Sequence, residues 1–302
     1  MDFCIKKTSM FVQSNTVKAV KMYFSERLET LFSPNEIKLI VNQAISSRLN
    51  LSKTEIIFAD EARLSESDLL YFRSIVKRLQ QNEPMQYVFG DTIFYDLTIK
   101  CDKRALIPRP ETEELVDLIF SDFTGKKVEK MLDLCTGTGC IALALKSRFS
   151  ESSIEAVDFS LDALELAKEN AEMLQLDLNL NKIDVLNELI DLNFEPNSYD
   201  IWISNPPYIP MKEKSLMHAN VLDFEPEMAL FVEDHHALIF YNVIAEKAKR
   251  YLKSGGHLYF ELNENYADET FELITDLGFE AVEIKLDLQG KKRMLKAIKK
   301  GN

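Results

Sequence analysis

The first quarter of the chain repeats apolar residues every three or four positions, the spacing that places them on one face of a helix. Three segments carry the repeat: residues 15–32, the residues from Pro34 onward and the residues after Ser65. Proline is typical of a first helical turn, and Ser65 with Asp68 forms a candidate capping box. The pattern predicts an α-helical bundle domain over residues 1–83, for which we expect a substrate-docking role.

The next segment, residues 84–105, follows a different pattern. Gly90 marks a turn, and residues 92–95 and 97–99 have the length and composition of short strands. We interpret this segment as a β-hairpin linker.

Strand-length apolar runs alternate with helix-length segments over residues 106–302, a pattern typical of an α/β domain with a parallel sheet. The predicted strands are 131–134, 154–158, 178–183, 199–203 and 257–262, with a closing hairpin formed by 281–288 and 293–298. The predicted helices start at Pro110 or Glu111, at Ile141, at Ser160, at Leu238 and at Tyr266. Gly255 and Gly256 are expected to end the fourth of these helices.

The motif Asn205-Pro206-Pro207-Tyr208 directly follows the predicted strand 199–203. Two prolines cannot continue a strand ladder, so the motif is expected to form a rigid corner at the carboxyl edge of the sheet, where α/β folds bind ligands. The side-chain oxygen of Asn205 and the carbonyl of Pro206 are two adjacent acceptors, which suit the two N–H donors of an amino group. Tyr208 offers a flat face for a planar amide or base. The alternative is a turn that only ends the strand.

A second candidate site follows the first predicted strand. Its tight turn is Cys135-Thr136-Gly137-Thr138-Gly139, and Asp158 ends the next strand, where an acidic side chain binds ribose hydroxyls. The turn is not the G-x-G-x-x-G pattern of a pyrophosphate cradle, so a nucleoside cofactor without phosphates, S-adenosylmethionine, is favoured over NAD.

Asp184, at the end of the third predicted strand, has two interpretations. It receives the adenine amino group of the cofactor, together with Val185, or it only caps a following helical turn.

The 302-residue chain has a net charge of −13, which disfavours a broad electrostatic surface for DNA or RNA. Its four cysteines, Cys4, Cys101, Cys135 and Cys140, form no CxxC pair, and its histidines lack metal-ligand spacing. We expect no metal, no direct nucleic-acid partner, no membrane segment, a cytoplasmic location and a monomer.

The order of motifs resembles the peptide chain release factor glutamine methyltransferases, the HemK/PrmC family. The resemblance covers residues 84–300. It is carried by five segments: Pro84-Met85-Gln86-Tyr87 with Gly90, Ile107-Pro108-Arg109-Pro110-Glu111-Thr112-Glu113, Asp133 to Gly139, Asn205 to Tyr208, and Phe224-Glu225-Pro226 with Ala229-Leu230. The second of these is the most specific, because other amino-methyltransferases lack it.

The resemblance implies a class I S-adenosylmethionine-dependent methyltransferase fold with a Rossmann-like seven-stranded sheet. The implied reaction methylates the side-chain amide of the glutamine in the Gly-Gly-Gln loop of class 1 release factors and yields S-adenosylhomocysteine. By position, residues 135–139 and Asp158 hold the cofactor, and Asn205 to Tyr208 hold the glutamine.

Three positions in this resemblance keep open questions. Phe94 aligns with an aromatic residue of the family's pocket, or else packs within the linker. Arg109, between two prolines, either fixes the linker to the catalytic domain or reaches the ligand. Cys135 stands where many relatives carry glycine, so a positive φ is not assumed there.

Direct transfer of the methyl group to the amide nitrogen is the expected mechanism, with orientation and electrostatics as the protein's contribution. Three other functions remain in view: glutamine methylation of a large-subunit ribosomal protein, adenine N6 methylation of DNA or RNA, and a non-catalytic cofactor-binding module. The acidic charge weighs against the second, and the intact Asn-Pro-Pro-Tyr motif weighs against the third.

Overall fold

A computed structural model describes residues 14–187 and 194–301 of the chain, so Cys4 lies outside the described residues. The chain divides into two compact units, and the division falls between Phe89 and Gly90. The short helix Met85–Phe89 thus belongs to the first unit, and the hairpin that follows Gly90 belongs to the second.

Helices make up the regular structure of the described part of the first unit. Their bounds are α1 Val17–Leu28, α2 Pro34–Leu49, α3 Lys53–Phe58, α4 Glu66–Gln80 and α5 Met85–Phe89. The capping box of Ser65 and Asp68 is present at the start of α4, as predicted. The short helices α3 and α5 were not predicted, because one turn and a half gives too few positions for a periodic signal.

One apolar core holds this helical unit together. Most of its residues come from the predicted stripes, with Val20 and Phe24 of α1, Ile40 of α2 and Phe72 of α4 fully buried, and Ile56 of the unpredicted α3 joins them. The Phe24 and Phe72 rings contact edge to face at 6.3 Å. The 3.6-residue period therefore identified the buried face correctly.

A β-hairpin opens the second unit. Strands β1 Asp91–Phe94 and β2 Leu97–Lys100 pair antiparallel across Tyr95 and Asp96, which both have positive φ. Helix α6, Pro110–Asp122, follows the hairpin.

Alternating strands and helices form the rest of the second unit. In chain order they are β3 Lys130–Leu134, α7 Cys140–Arg148, β4 Ser153–Asp158, α8 Leu161–Leu174, β5 Asn179–Lys182, β6 Tyr199–Ser204, β7 Ile209–Pro210, α9 Ala219–Leu222, β8 Phe231–Val232, α10 Ile239–Tyr251, β9 Leu252–Glu261, α11 Ala267–Asp276, β10 Phe279–Leu286 and β11 Lys292–Lys299. Three 3-10 turns, Met211–Leu216, Glu227–Ala229 and Glu264–Tyr266, interrupt the series.

Seven strands form the central sheet in the order β10-β11-β9-β6-β3-β4-β5. The five strands from β9 to β5 are parallel, and β10 and β11 close one edge as an antiparallel hairpin. The strand order reverses between β3 and β6, which is where open α/β sheets bind ligands. The predicted class I methyltransferase fold with its helical N-terminal unit is confirmed.

The role predicted for Gly255 and Gly256, to end the helix before β9, was wrong. Helix α10 ends at Tyr251, and Gly255 and Gly256 lie inside β9. The pairing of β9 with β6 shifts register there, and Gly255 has a φ of 75°. The glycines therefore mark an irregularity within the strand rather than a helix stop.

Within residues 14–187 and 194–301, no helix is both long enough and apolar enough to cross a bilayer.

Candidate active site

A cavity of about 300 Å³ lies at the carboxyl edge of the parallel strands. It is lined by the turn after β3, the end of β4, the residues after β5 and Asn205 after β6. Register explains why these groups meet: Leu134 pairs with Val157 and with Ser204, so the residues that follow each strand emerge side by side. A hydrogen bond of 2.7 Å from Ser204 Oγ to the Leu134 carbonyl fixes the same edge.

The predicted site residues divide into two sets by this cavity. Ten of them line it: Arg109, Cys135, Thr136, Gly137, Thr138, Asp158, Asp184, Val185, Asn205 and Pro207. Four others do not appear in its wall: Phe94, Gly139, Pro206 and Tyr208. Phe94 is 1% exposed and packs inside the second unit, as the alternative interpretation of this residue expects.

The turn after β3 needs glycine at two positions. Gly137 and Gly139 have φ values of 56° and 80°, which side chains with a Cβ rarely adopt. A Cβ on Gly139 would also lie 3.2 Å from the Cβ of Ala167 in α8. The turn can therefore bring backbone close to a ligand, while Gly139 lets α7 and α8 approach each other.

Cys135 also adopts a left-handed conformation, with a φ of 61°. From the sequence, a positive φ was not assumed for Cys135; the structure has one. Burial raises the pKa of its thiol well above the ordinary value, so the side chain stays protonated at neutral pH.

Asp158 is held by the backbone on both sides. Its Oδ2 accepts a hydrogen bond of 2.9 Å from the Gly137 amide, and its Oδ1 accepts one of 2.9 Å from the Ser160 amide. Burial raises the pKa of this carboxyl, while these amide donors act in the opposite direction. Each carboxylate oxygen retains a free lone pair, so Asp158 is a fixed acceptor pair at the cavity wall.

Asp184 uses its carboxylate locally. Its Oδ1 accepts a hydrogen bond of 3.0 Å from the Leu186 amide, and its Oδ2 accepts one of 2.6 Å from Asn187 Nδ2. These contacts are those of a capping turn, the second interpretation of this residue. Asp184 and Val185 nevertheless line the cavity, so their position is also compatible with the first interpretation, a contact with the adenine amino group.

A chain of four polar side chains stands behind the Asn-Pro-Pro-Tyr corner. Asn205 Nδ2 donates to Thr112 Oγ1 at 3.2 Å, and Thr112 Oγ1 donates to Glu261 Oε2 at 2.6 Å. The Tyr208 hydroxyl donates to the other oxygen, Glu261 Oε1, at 3.0 Å. The amide of Asn205 is therefore anchored through one of its two N–H donors, which leaves its Oδ1 as an acceptor available to a ligand.

Glu261 was missed by the sequence analysis. It ends β9, next to β6, and is 2% exposed. The signal was a single acidic residue at the carboxyl end of a buried apolar run, the same signal that identified Asp158. Thr112 was quoted only as part of a motif, although it is also buried.

Arg109 fixes one loop to another. Its Nη2 donates to Glu225 Oε1 at 2.6 Å, and Glu225 Oε2 accepts the Ile107 amide at 3.1 Å. Glu225 is 4% exposed, whereas the Arg109 side chain is 32% exposed, so only the carboxylate of this ion pair is desolvated. The first interpretation of Arg109, a structural link, matches these contacts, and the residue also lines the cavity.

Asp133 lies under the glycine turn with no exposed surface. Its Oδ2 accepts a hydrogen bond of 2.5 Å from Thr136 Oγ1. Burial raises the pKa of this carboxyl to about 7, which the Thr136 hydrogen bond partly offsets. Among the described residues, no group of three or more His, Cys, Asp or Glu side chains is placed to hold a metal ion.

Comparisons with known families match both units. A family model described as the methyltransferase small domain matches residues 113–223, and one described as the PrmC N-terminal domain matches residues 27–90. Among solved structures, a methyltransferase from Pyrococcus furiosus covers 68% of this chain and 89% of its own, with a TM-score of 0.50 and 21% identity. That structural similarity supports the fold alone.

Two sequence relatives extend over most of the chain. The release factor glutamine methyltransferase of Flavobacterium psychrophilum is 36% identical, over 93% of this chain and 98% of that protein. The protein of the same name from Lactococcus lactis is 40% identical, over 77% of this chain and 84% of that protein. This chain belongs to the release factor glutamine methyltransferase family.

Proposed function

We propose that this protein methylates the side-chain amide nitrogen of the glutamine in the Gly-Gly-Gln motif of class 1 release factors, with S-adenosylmethionine as methyl donor. The observation that carries the proposal is the anchored carboxamide of Asn205. Its nitrogen is held by Thr112, so its oxygen is the acceptor at the cavity. The names of the relatives supply the substrate class.

The cavity fits a nucleoside cofactor by the chemistry of its wall. Asp158 would accept hydrogen bonds from the ribose hydroxyls, and Ile183, Val185 and Phe240 supply an apolar surface for the base. The turn at residues 135–138 would bring backbone to the amino-acid part of the cofactor. When bound, S-adenosylmethionine supplies an electrophilic methyl group on a sulfonium.

The glutamine amide would be oriented by two acceptors. Asn205 Oδ1, at the cavity wall, and the carbonyl of Pro206, next in the chain but outside that wall, would each accept one N–H. These two contacts would aim the nitrogen and stabilise the positive charge that develops on it. An amide nitrogen is a weak nucleophile, because its lone pair is delocalised into the carbonyl. S-adenosylmethionine would supply the methyl group and leave as S-adenosylhomocysteine, and the glutamine nitrogen, held by Asn205 and Pro206 during transfer, would lose one proton to solvent.

We further propose a monomer that acts in the cytoplasm without nucleic acid or membrane contact. Its net charge of −13 supports the lack of a nucleic-acid surface. Cys101, Cys135 and Cys140 are free thiols, which fits a reducing compartment.

The proposal is tested with methyl-labelled S-adenosylmethionine and three separate acceptors: purified release factor, ribosomal proteins and DNA. We expect label in the release factor alone, and none when its Gly-Gly-Gln glutamine is replaced by alanine. Label in a ribosomal protein, or in DNA, would overturn the assignment of the substrate.

A further inference from the structure

Glu261 is a buried carboxylate with no assigned role that accepts a hydroxyl hydrogen bond at each of its two oxygens. Thr112 donates to Oε2 at 2.6 Å and Tyr208 donates to Oε1 at 3.0 Å. The backbone around it is also fixed, because the Tyr241 hydroxyl donates to the Glu261 carbonyl at 3.1 Å. A charge buried this fully is costly unless hydrogen bonds and opposite charges compensate it.

The groups form a chain from Asn205 through Thr112 to Glu261. The Glu261 carboxylate at its end determines which group donates and which accepts in each hydrogen bond. An ionised carboxylate can only accept, so the Thr112 hydroxyl must spend its single proton on Glu261. Thr112 Oγ1 can then only accept a hydrogen bond from Asn205. The end of the Asn205 amide that points at Thr112 must therefore be the donor, Nδ2. The Asn205 oxygen is thereby kept at the cavity.

We propose that Glu261 is a positioning residue that, through Thr112, locks the Asn205 carboxamide with its oxygen toward the substrate. This inference rests on the proposed function and adds a cause for its selectivity. A site that presents an oxygen accepts the N–H2 group of glutamine and repels the carboxylate of glutamate. If the Asn205 amide were reversed, it would present N–H2 and favour the wrong side chain.

The surroundings of Glu261 bear on its charge. Burial raises the pKa of this carboxyl, the hydrogen bonds from Thr112 and Tyr208 lower it, Arg293 lowers it and Glu111 raises it. Arg293 is itself held in place, since its Nη1 donates to the Leu262 carbonyl at 3.0 Å. On balance the pKa of Glu261 is raised by burial; the two hydroxyl donors and the Arg293 guanidinium are the groups that oppose this and favour the ionised form that the direction of the chain requires.

Substitution of Glu261 by glutamine keeps the shape but removes the constraint. A glutamine must donate from one of its two ends, so either Thr112 or Tyr208 loses its acceptor. When Thr112 receives that donor, its own proton becomes free to turn toward Asn205. The Asn205 amide then has two competing orientations.

The test compares two forms of intact release factor, one with Gly-Gly-Gln and one with Gly-Gly-Glu, as ligands of the full-length enzyme saturated with S-adenosylhomocysteine. Calorimetry gives the ratio of the two affinities, in which contacts outside the loop cancel. Glu261→Gln and Thr112→Val remove the constraint, and Thr112→Ser restores the hydroxyl that Thr112→Val lacks. S-adenosylhomocysteine affinity is measured for each variant as a readout that does not depend on turnover.

We expect the wild-type enzyme to prefer the glutamine form by about 10- to 100-fold, as for loss of a hydrogen bond that leaves a charged group unpaired. Glu261→Gln and Thr112→Val should reduce that preference to about threefold or less, with a matching fall in kcat, while Thr112→Ser keeps it. S-adenosylhomocysteine affinity should stay within about threefold in all variants.

Two outcomes overturn different claims. If the wild type prefers glutamine and both Glu261→Gln and Thr112→Val keep that preference, the positioning role is wrong and the proposed function stands. If the wild type binds S-adenosylhomocysteine but shows no preference for glutamine, the proposed function fails and the role of Glu261 fails with it.

Discussion

A carboxamide has two ends of nearly the same shape and opposite hydrogen-bonding character, so a site built on Asn205 depends on which end faces the ligand. Its contact with Thr112 answers that question within this protein. The residue type alone does not determine which end faces the ligand, because asparagine offers both a donor and an acceptor.

Replacement of Asn205 by alanine should reduce kcat by about 10² to 10³, because it removes an acceptor that stabilises charge in the transition state. Cofactor affinity should change little, since Asp158 and the turn after β3 are untouched. Steady-state kinetics and calorimetry with S-adenosylhomocysteine check the two expectations separately. Asp158→Ala is the matched contrast, and it should weaken the cofactor instead; equal losses in both quantities for Asn205→Ala would contradict the assignment.

Cys135 tests the cost of a side chain in a left-handed conformation. Its φ of 61° is one that glycine adopts freely and that β-branched residues avoid. Cys135→Gly should change the free energy of unfolding by less than about 1 kcal/mol, because relief of strain and added chain entropy oppose each other. Cys135→Val should destabilise by about 1 to 3 kcal/mol. Urea denaturation of both variants measures the difference, and equal stability of the two would show that backbone strain at this position is negligible.

At the scale of elements, the site depends on loops that the strands bring to one edge. The segment before α6 is joined to the segment after α9 by Arg109 and Glu225, through an ion pair and a backbone hydrogen bond. Both segments line the cavity. The motif around Arg109 therefore has a structural role, the link to Glu225, which the two prolines beside Arg109 did not predict.

The Asp133 carboxyl lies under the turn between β3 and α7, and its protonation should change the free energy of unfolding. Asp133 has its pKa raised from 3.8 to about 7, so the folded state binds its proton more tightly than the unfolded state. The contribution of Asp133 to the free energy of unfolding is therefore favourable at low pH. It is lost as the pH rises from the ordinary pKa of this carboxyl to its raised pKa. Asp133→Asn, which mimics the neutral acid, should gain stability relative to wild type across the same window, by a few kcal/mol at most.

Unfolding free energies measured from pH 4 to pH 8 check this expectation. The exposed Asp177, changed to asparagine in the same way, is the control. Parallel curves for wild type and Asp133→Asn would mean that Asp133 does not titrate in this range.

Several elements were predictable because their signals are local. Helices α1, α2 and α4 follow from apolar period and caps, and the strands before Cys135 and Asn205 follow from buried runs that end at turn residues. The predicted role of Gly255 and Gly256 as the stop of α10 was wrong, because glycine serves both as a helix stop and as an irregular position in a strand. Sequence spacing does not separate those two uses.

At the scale of the whole molecule, the fold and half of the site were readable from the chain. Residues 135–138, Asp158 and Asn205 could be placed because each follows a strand of the parallel sheet. Thr112 and Glu261, behind Asn205, could not be placed, because they are 149 positions apart and meet only where helix α6 packs against β9. A contact of that separation leaves no trace in local periodicity.

The central claim is that the corner at Asn205 directs a methyl group to one amide nitrogen. The most direct measurement is tandem mass spectrometry of release factor after incubation with the enzyme and S-adenosylmethionine. We expect one added methyl group, on the side-chain nitrogen of the Gly-Gly-Gln glutamine, and a rate of methylation lower by about 10² to 10³ with Asn205→Ala under the same conditions. A methyl group on any other residue of the release factor, or undiminished methylation by Asn205→Ala, would contradict it.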